Sequence, residues 1–322
     1  MSPVLSIVVP MFDVEHYISP CLESLVNQRL ADLEIIVVDD GSTDASRAIA
    51  EQWAENDSRI CVLGQPNAGV SAARSAGVRA AQGRYLAFCD SDDIVPATAY
   101  TSLVESLETT GSDFASGNAC RLDSSGAQPD SIYRDVFAHS RRRTHILRHP
   151  PLVRDCMVWN KVFRRSFWDA RDLVFTLPEY EDGPVMMRAH IEASAVDMLS
   201  EVVYFWRIRE RGAPSITQRR SEPANMAARM RMVLDTFKVI AALAAELIPA
   251  YVNEMCLRDV REALSALHLH DDATMSDVLS LTRSFVMGVP ADLLDSLPPA
   301  DRRLMAHLVR GEFTQIRQLM SR

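Results

Sequence analysis

The first 120 residues alternate between short β-branched runs and helical apolar stripes, and that alternation leaves few folds open. Residues 4–10, 34–39, 60–63, 84–89 and 113–117 read as strands. Between them, 14–28, 44–55, 69–81 and 97–107 read as helices. The first helix carries Ile18, Cys21, Leu22, Leu25 and Val26 on one stripe, and Thr43 or Asp44 caps the second. Strands separated by single helices need crossover connections. The expected fold is therefore α/β: a mixed, mainly parallel sheet with helices on both faces. Ligands of open α/β sheets bind beyond the carboxyl ends of the strands. Acids collect there, with Asp39-Asp40 after the second strand and Asp90 to Asp93 after the fourth.

Beyond residue 120 the pattern loosens. Residues 125–150 are irregular and basic, with Arg141, Arg142, Arg143 and Arg148. Residues 155–215 are mixed, with a helix over 183–195 opened by Gly-Pro and a strand over 197–207. From about Glu222 every stretch reads as helix, which places a boundary near 218–224. The expected organisation is a catalytic domain over 1–220, with halves of about 1–120 and 121–220, and an all-helical domain over 221–322.

Composition narrows the function classes. The 322 residues are 48% hydrophobic, enough for a sizeable core, and the net charge is −9. A nucleic-acid binder would carry a basic excess, so that class is set aside. Six cysteines are scattered without a CxxC pair, as expected of free thiols in a reducing compartment. No basic stretch with an apolar core opens the chain, and no apolar run reaches the roughly 20 residues of a membrane span. The expected location is the cytoplasm, with any membrane association peripheral and at the inner face.

Asp90-Ser91-Asp92 places two carboxylates two residues apart at a strand end, where both can converge on one hard cation such as Mg²⁺ or Mn²⁺. Such an ion would bridge a diphosphate and neutralise the leaving nucleotide. Asp92 or Asp93 could equally cap the helix after Pro96. Upstream, Asp39-Asp40-Gly41-Ser42-Thr43-Asp44 either accepts a nucleobase N–H or forms a turn and cap. A dinucleotide-binding dehydrogenase is excluded, because Met11 to Glu15 contain no glycine after the first strand. An aspartyl phosphatase would leave the upstream segments unexplained.

Five segments in order sharpen this: Ser6 to Pro10, Val38 to Asp44, Asn67 to Gly77, Gly83 to Phe88, and Asp90 to Asp93. Together they resemble family 2 glycosyltransferases of the GT-A (Rossmann-like) fold. The resemblance implies that Pro10 and Phe12, with Glu15 nearby, belong to the nucleotide pocket. It implies that Asp40, with Asp39 as neighbour, contacts uracil, and that Asn67 and Arg74 are donor-site residues. Asp90, with Ser91, would lie on the ribose or sugar side. Asp92 would be the principal metal ligand, with Asp90 beside it.

The second half resembles bacterial members of the family through Asn160 to Arg165, Tyr180 to Pro184, Tyr204 to Glu210 and Ser215 to Thr217. It implies an inverting transfer with Asp182 as general base and Glu181 as the alternative. The same pair at a helix start also suits the helix dipole without any catalytic role. Arg207, Arg209, Ser215 and Thr217 would line the diphosphate. Many relatives add a histidine to the metal near this strand, and Trp206 to Glu210 contain none.

The implied reaction moves a sugar from a nucleotide-diphosphate sugar, UDP-linked, to a hydroxyl of a cell-surface glycan or wall polymer, with Mn²⁺ or Mg²⁺. A tailoring enzyme for a peptide or small natural product is the alternative, and a non-catalytic sugar-nucleotide-binding module is a third reading. The C-terminal helices are expected to mediate homo-oligomerisation. His268-Leu269-His270-Asp271-Asp272 reads as solvated helix-end residues rather than a metal site. Arg141 to Arg143 read as a solvated loop, with contact to an anionic acceptor as the second reading.

Overall fold

A computed structural model of the chain describes residues 2–129, 133 and 135–320. It divides into two compact units, Met1–Ser215 and Ile216–Arg322.

The first unit is built on one mixed sheet. Strands β1 (Leu5–Met11), β2 (Leu33–Asp39), β3 (Ile60–Gly64) and β4 (Tyr85–Phe88) alternate with helices α1 (Ile18–Val26), α2 (Ser46–Asn56) and α3 (Val70–Ala80). Helix α4 (Ala99–Thr110) leads to β5 (Phe114–Asp123), which turns back as β6 (Gly126–Pro129). Strands β7 (Arg141–Thr144) and β8 (Lys161–Arg164), helices α5 (Arg165–Ala170) and α6 (Asp182–Glu192), and strand β9 (Val196–Arg207) complete the unit.

Strand order is β3-β2-β1-β4-β8-β5-β9-β7, with β6 paired to β5. Parallel pairing joins β1 to β2 and β4, β2 to β3, and β5 to β9. The pairs of β8 with β4 and β5, and of β7 with β9, are antiparallel. The expected α/β class holds. Parallel pairing dominates only in the first half, because the short β8 inserts between β4 and β5 in the opposite direction.

The β1 and β2 strands are apolar and almost wholly buried, as strands covered on both faces must be. Helix α3 lies close on β1: a Cβ at Gly77 would sit 2.3 Å from Val8 Cγ1. Arg74, one turn earlier on that helix, is thereby carried to the carboxyl end of the sheet. Strands β1, β2, β4 and β9 all end on that side, which brings Asp39-Asp40, Asp90 to Asp93 and Arg207 to a common edge.

The basic triplet lies elsewhere. Arg141 pairs with Met198 and Thr144 with Val196, at the start of β9. About nine residues of strand, roughly 30 Å, separate that end from Arg207. The triplet therefore does not share the acid-rich end.

The second unit is helical throughout its described elements, beginning with α7 (Pro223–Leu243). Met230, Val233, Phe237, Ile240 and Phe285 are buried, and the rings of Phe237 and Phe285 meet edge to face at 5.4 Å. Of the methionines expected to pack, Met226 and Met230 are buried and Met232 is half-buried. In the His268–Asp272 stretch, Asp271 accepts the Thr274 N–H at 2.8 Å and Asp272 pairs with Arg317.

Candidate active site

The loops after β1 and β2 are tied together before any ligand enters. Gly41 has φ +79°, and a Cβ there would lie 2.9 Å from the Asn67 nitrogen, so the turn needs glycine. Asp39 is buried and its Oδ1 accepts the Ser42 N–H at 3.0 Å. Asp40 is also buried. Its oxygens accept Gln65 Nε2 at 2.7 Å, Ala68 N at 2.9 Å and Gly69 N at 2.8 Å. A carboxylate offers about four acceptor sites, so these three bonds take most of them.

Asn67, exposed, sits in the loop that Asp40 anchors. Pro10 is buried near the end of β1, and Phe12 just beyond it is 43% exposed. The Glu15 carboxylate accepts the Ala45 N–H at 3.0 Å, at the start of α2. Asp44 accepts the Glu15 and Ser46 N–H groups and so braces the turn ahead of α2, whose N-cap is Ala45 and not the expected Thr43 or Asp44.

The acids after β4 have separate partners. Asp90 Oδ1 accepts Arg74 Nη2 at 2.5 Å, and its backbone N–H donates to the Tyr204 hydroxyl at 3.0 Å. Ser91 is buried between the two acids. Asp92 Oδ2 accepts Arg209 Nε at 2.6 Å, and its carbonyl accepts Arg207 Nε at 2.7 Å. Asp93 is not a helix cap. Helix α4 starts only at Ala99, and Asp93 instead accepts the Arg207 N–H at 2.6 Å and the Tyr204 hydroxyl at 2.8 Å. It thus fastens the end of β9 to the acid loop. Burial pushes the Asp93 carboxyl well above the usual range, with Asp92 and Asp90 adding to it. Burial also raises Asp92, against the pull of Arg209.

Arg74 joins this loop to the second acid pair. It is buried, and besides Asp90 its other terminal nitrogen pairs with Glu181. Its guanidinium lies 5.6 Å from the Phe175 ring centre. Its Nε has no partner among the described residues. Glu181 is thereby committed to an ion pair. Asp182, the first residue of α6, is half-buried. Burial raises its carboxyl above the ordinary 3.8, Arg74 pulls it back and Asp90 pushes it up. Ser215 is half-buried at the end of this unit, and Thr217 belongs to the next.

Two further features adjoin these residues, the second of them built on Asn160 and Lys161 of the segment that resembles the family. Tyr17, ahead of α1, lies beneath Arg207 and Arg209 at 5.7 and 6.0 Å from ring centre to guanidinium. The other is a fully buried ionic cluster. Lys161 Nζ donates to Asp155 Oδ1 at 2.6 Å, Met157 O at 2.6 Å and Asn160 Oδ1 at 2.8 Å. His190, on α6, reaches Asp155 Oδ2 at 3.2 Å. Burial pushes the Asp155 carboxyl up, but Lys161 and His190 outweigh it and hold it below the usual range. The neighbouring Cys156 thiol is pushed up to about 12 by burial, with Asp182 adding to it.

Asp90, Asp92, Asp93, Glu181 and Asp182 thus share this end of the sheet with Arg74, Arg207 and Arg209. Asp90 and Asp92 supply oxygen donors suited to Mg²⁺ or Mn²⁺. Among the described residues no group of three or more His, Cys, Asp or Glu side chains could hold a metal. A hard cation held by Asp90 and Asp92 would find each carboxylate already paired with an arginine and would need further ligands from outside this pair.

A family model described as "Glycosyl transferase family 2" matches residues 6–170. The chain is 36% identical over 212 residues to the uncharacterized glycosyltransferase EpsJ of Bacillus subtilis (strain 168), covering 64% of this chain and 62% of that protein. It is 28% identical over 218 residues to the poly(ribitol-phosphate) beta-glucosyltransferase of Bacillus spizizenii, covering 65% of this chain and 33% of that protein. The chain thus spans less than two thirds of the length of these curated relatives. Among solved structures, S. aureus TarS 1-349 in complex with UDP-GlcNAc superposes with a TM-score of 0.78 at 19% identity, covering 100% of this chain and 91% of that one. At that identity the likeness concerns the fold, which is of the GT-A kind. No helix among the described residues is long and apolar enough to cross a membrane.

Proposed function

We infer the reaction from one premise: the chain belongs to glycosyl transferase family 2 and is a glycosyltransferase. We propose that it moves a sugar from a UDP-linked donor to a hydroxyl of a surface glycan or wall polymer, with inversion and with Mn²⁺ or Mg²⁺ at Asp92 and Asp90. The observation that carries this reading is the division of labour between adjacent acids. Glu181 is locked on Arg74, whereas Asp182 stands at the start of α6 with its carboxyl raised above 3.8. A base must accept a proton in the transition state, and a raised carboxyl does so more readily than an ordinary one.

In this scheme Asp182 takes the acceptor hydroxyl proton. The acceptor oxygen bonds to the anomeric carbon from one face while the bond to the diphosphate oxygen breaks on the other. The electron pair leaves with UDP. Asp40 and Phe12 hold the uracil, Asn67 and Asp90 hold the ribose and sugar side, and Arg207, Arg209 and Ser215 face the diphosphate. The bound cation supplies charge neutralisation at the leaving group. The polymer acceptor is supported by the relative named for poly(ribitol-phosphate). We assign 1–220 to catalysis and the helices of 221–322 to self-association, a role supported by the exposed apolar side chains Leu243, Leu269 and Met287.

A thermal-shift screen of UDP-, GDP- and CDP-sugars with Mn²⁺ tests the donor. A UDP-sugar is expected to raise the melting temperature most, and chelation is expected to remove the gain. A larger shift with a GDP- or CDP-sugar, or a shift indifferent to chelator, would overturn the assignment.

A further inference from the structure

The segment 207–211, from the last residue of β9 onward, is held by the Tyr17 side chain as well as by the acid loop. The Tyr17 hydroxyl donates to Arg211 O at 2.9 Å and accepts the Glu210 and Arg211 N–H groups at 3.0 and 2.8 Å. A phenol has one donor and two acceptor positions, so the segment's backbone takes all three. A second tie runs from the Ser124 N–H to Glu210 Oε1 at 2.9 Å. The ring of the same tyrosine carries the guanidiniums of Arg207 and Arg209. Arg207 is further fixed to the Asp92 carbonyl and, through its N–H, to Asp93. Arg209 instead spends its Nε on Asp92 Oδ2, with side-chain exposures of 16% for the arginine and 11% for the aspartate.

Asp92 is thus the carboxylate assigned to a divalent cation and the one that Arg209 neutralises. An ion on that carboxylate and a guanidinium 2.6 Å from it would repel one another in a half-buried setting. Arg209 Nε bonds Oδ2, so an ion taking Oδ1 would share the carboxylate with a like charge and weaken the arginine's hold on it. An arginine displaced from Asp92 stays above Tyr17, because the segment that carries it is bonded there. The anion then within its reach is the one the cation brings, a diphosphate, which a guanidinium fork matches.

We propose that Arg209 is an exchangeable counter-ion held by Tyr17: it neutralises Asp92 until a divalent cation takes that carboxylate, and then serves as a ligand of the donor's diphosphate. The proposal rests on the assignment of the cation to Asp92. It makes Tyr17 a positioning residue, and it gives Arg209 effects of opposite sign on metal and nucleotide.

The test is titration of the full chain with Mn²⁺ alone, followed by the resonance of free Mn²⁺, and titration with UDP at saturating Mn²⁺. Arg209→Met is expected to bind Mn²⁺ alone about 3- to 10-fold more tightly, having lost a competitor. It is expected to bind UDP about 10-fold more weakly, having lost a charge-assisted contact. Arg209→Lys, which keeps the charge without the fork, covers the case of an unstable methionine variant. It is expected to bind Mn²⁺ as the parent does and UDP more weakly. Tyr17→Leu is expected to weaken UDP binding in Mn²⁺. Unchanged or weaker Mn²⁺ binding in Arg209→Met, with Asp92→Asn losing the ion, overturns the exchange and leaves Arg209 a structural support. Parent-like Mn²⁺ binding in Asp92→Asn overturns the metal assignment itself, and the exchange with it.

Discussion

Asp182→Asn is expected to lower kcat about 10³-fold while UDP affinity stays within about threefold, the pattern of a lost general base. Asparagine keeps the size and polarity at the start of α6, so the helix and the Arg74–Glu181 pair remain. Only the capacity to accept a proton is removed. Glu181→Gln should behave differently, since it breaks the pairing with buried Arg74 and loosens the link to Asp90. Its effect is expected on donor affinity as well as on kcat. The pH dependence follows from the raised Asp182 carboxyl. A base works when ionised, so kcat/KM falls as pH drops through its pKa, and that acid limb is expected above the ordinary 3.8. Steady-state kinetics with UDP titrations check both points. Equal loss in the two variants would remove the distinction between these acids.

Lys161→Met is expected to destabilise the first unit by about 3–5 kcal/mol, because it leaves Asp155 buried without its main counter-charge. For a unit of this size that corresponds to a fall in melting temperature of roughly 10 °C. The sign with pH is fixed. Asp155 is held below its usual range by Lys161 and His190, so in the parent it contributes stability above the unfolded carboxylate pKa, which is lost as pH falls through the folded value. The gap between parent and variant is therefore widest near neutral pH and narrows in acid. Lys161→Met combined with Asp155→Leu removes the stranded charge and is expected to recover part of the loss. Thermal melts from pH 3 to 7 measure both effects.

The nucleotide half was legible because its information is local. Strand and helix periods are written into consecutive residues from Leu5 to Phe88, and the acids stand at strand ends where an α/β sheet places its ligands. The helical nature of the second unit was legible for the same reason. What stayed hidden depends on contacts between distant positions. Lys161–Arg164 is too short to show a period, and its antiparallel insertion between β4 and β5 follows from neither flanking segment. Asp93 looked like a cap because a helix follows Pro96. Its actual partners, Tyr204 and Arg207, lie more than 100 residues on. Tyr17 sits before an apolar stripe and gives no hint of a bond to Arg211. The resemblance already put Asp182 ahead of Glu181, but the Arg74–Glu181 pair that supports that order joins positions more than 100 residues apart.

The most direct measurement is the rate of UDP release from the donor that the screen selects, in the presence of Mn²⁺ and after chelation. The account predicts release with Mn²⁺, arrest by chelator and recovery when the ion is restored. Release at an unchanged rate in chelator would contradict a cation held between Asp92 and the diphosphate.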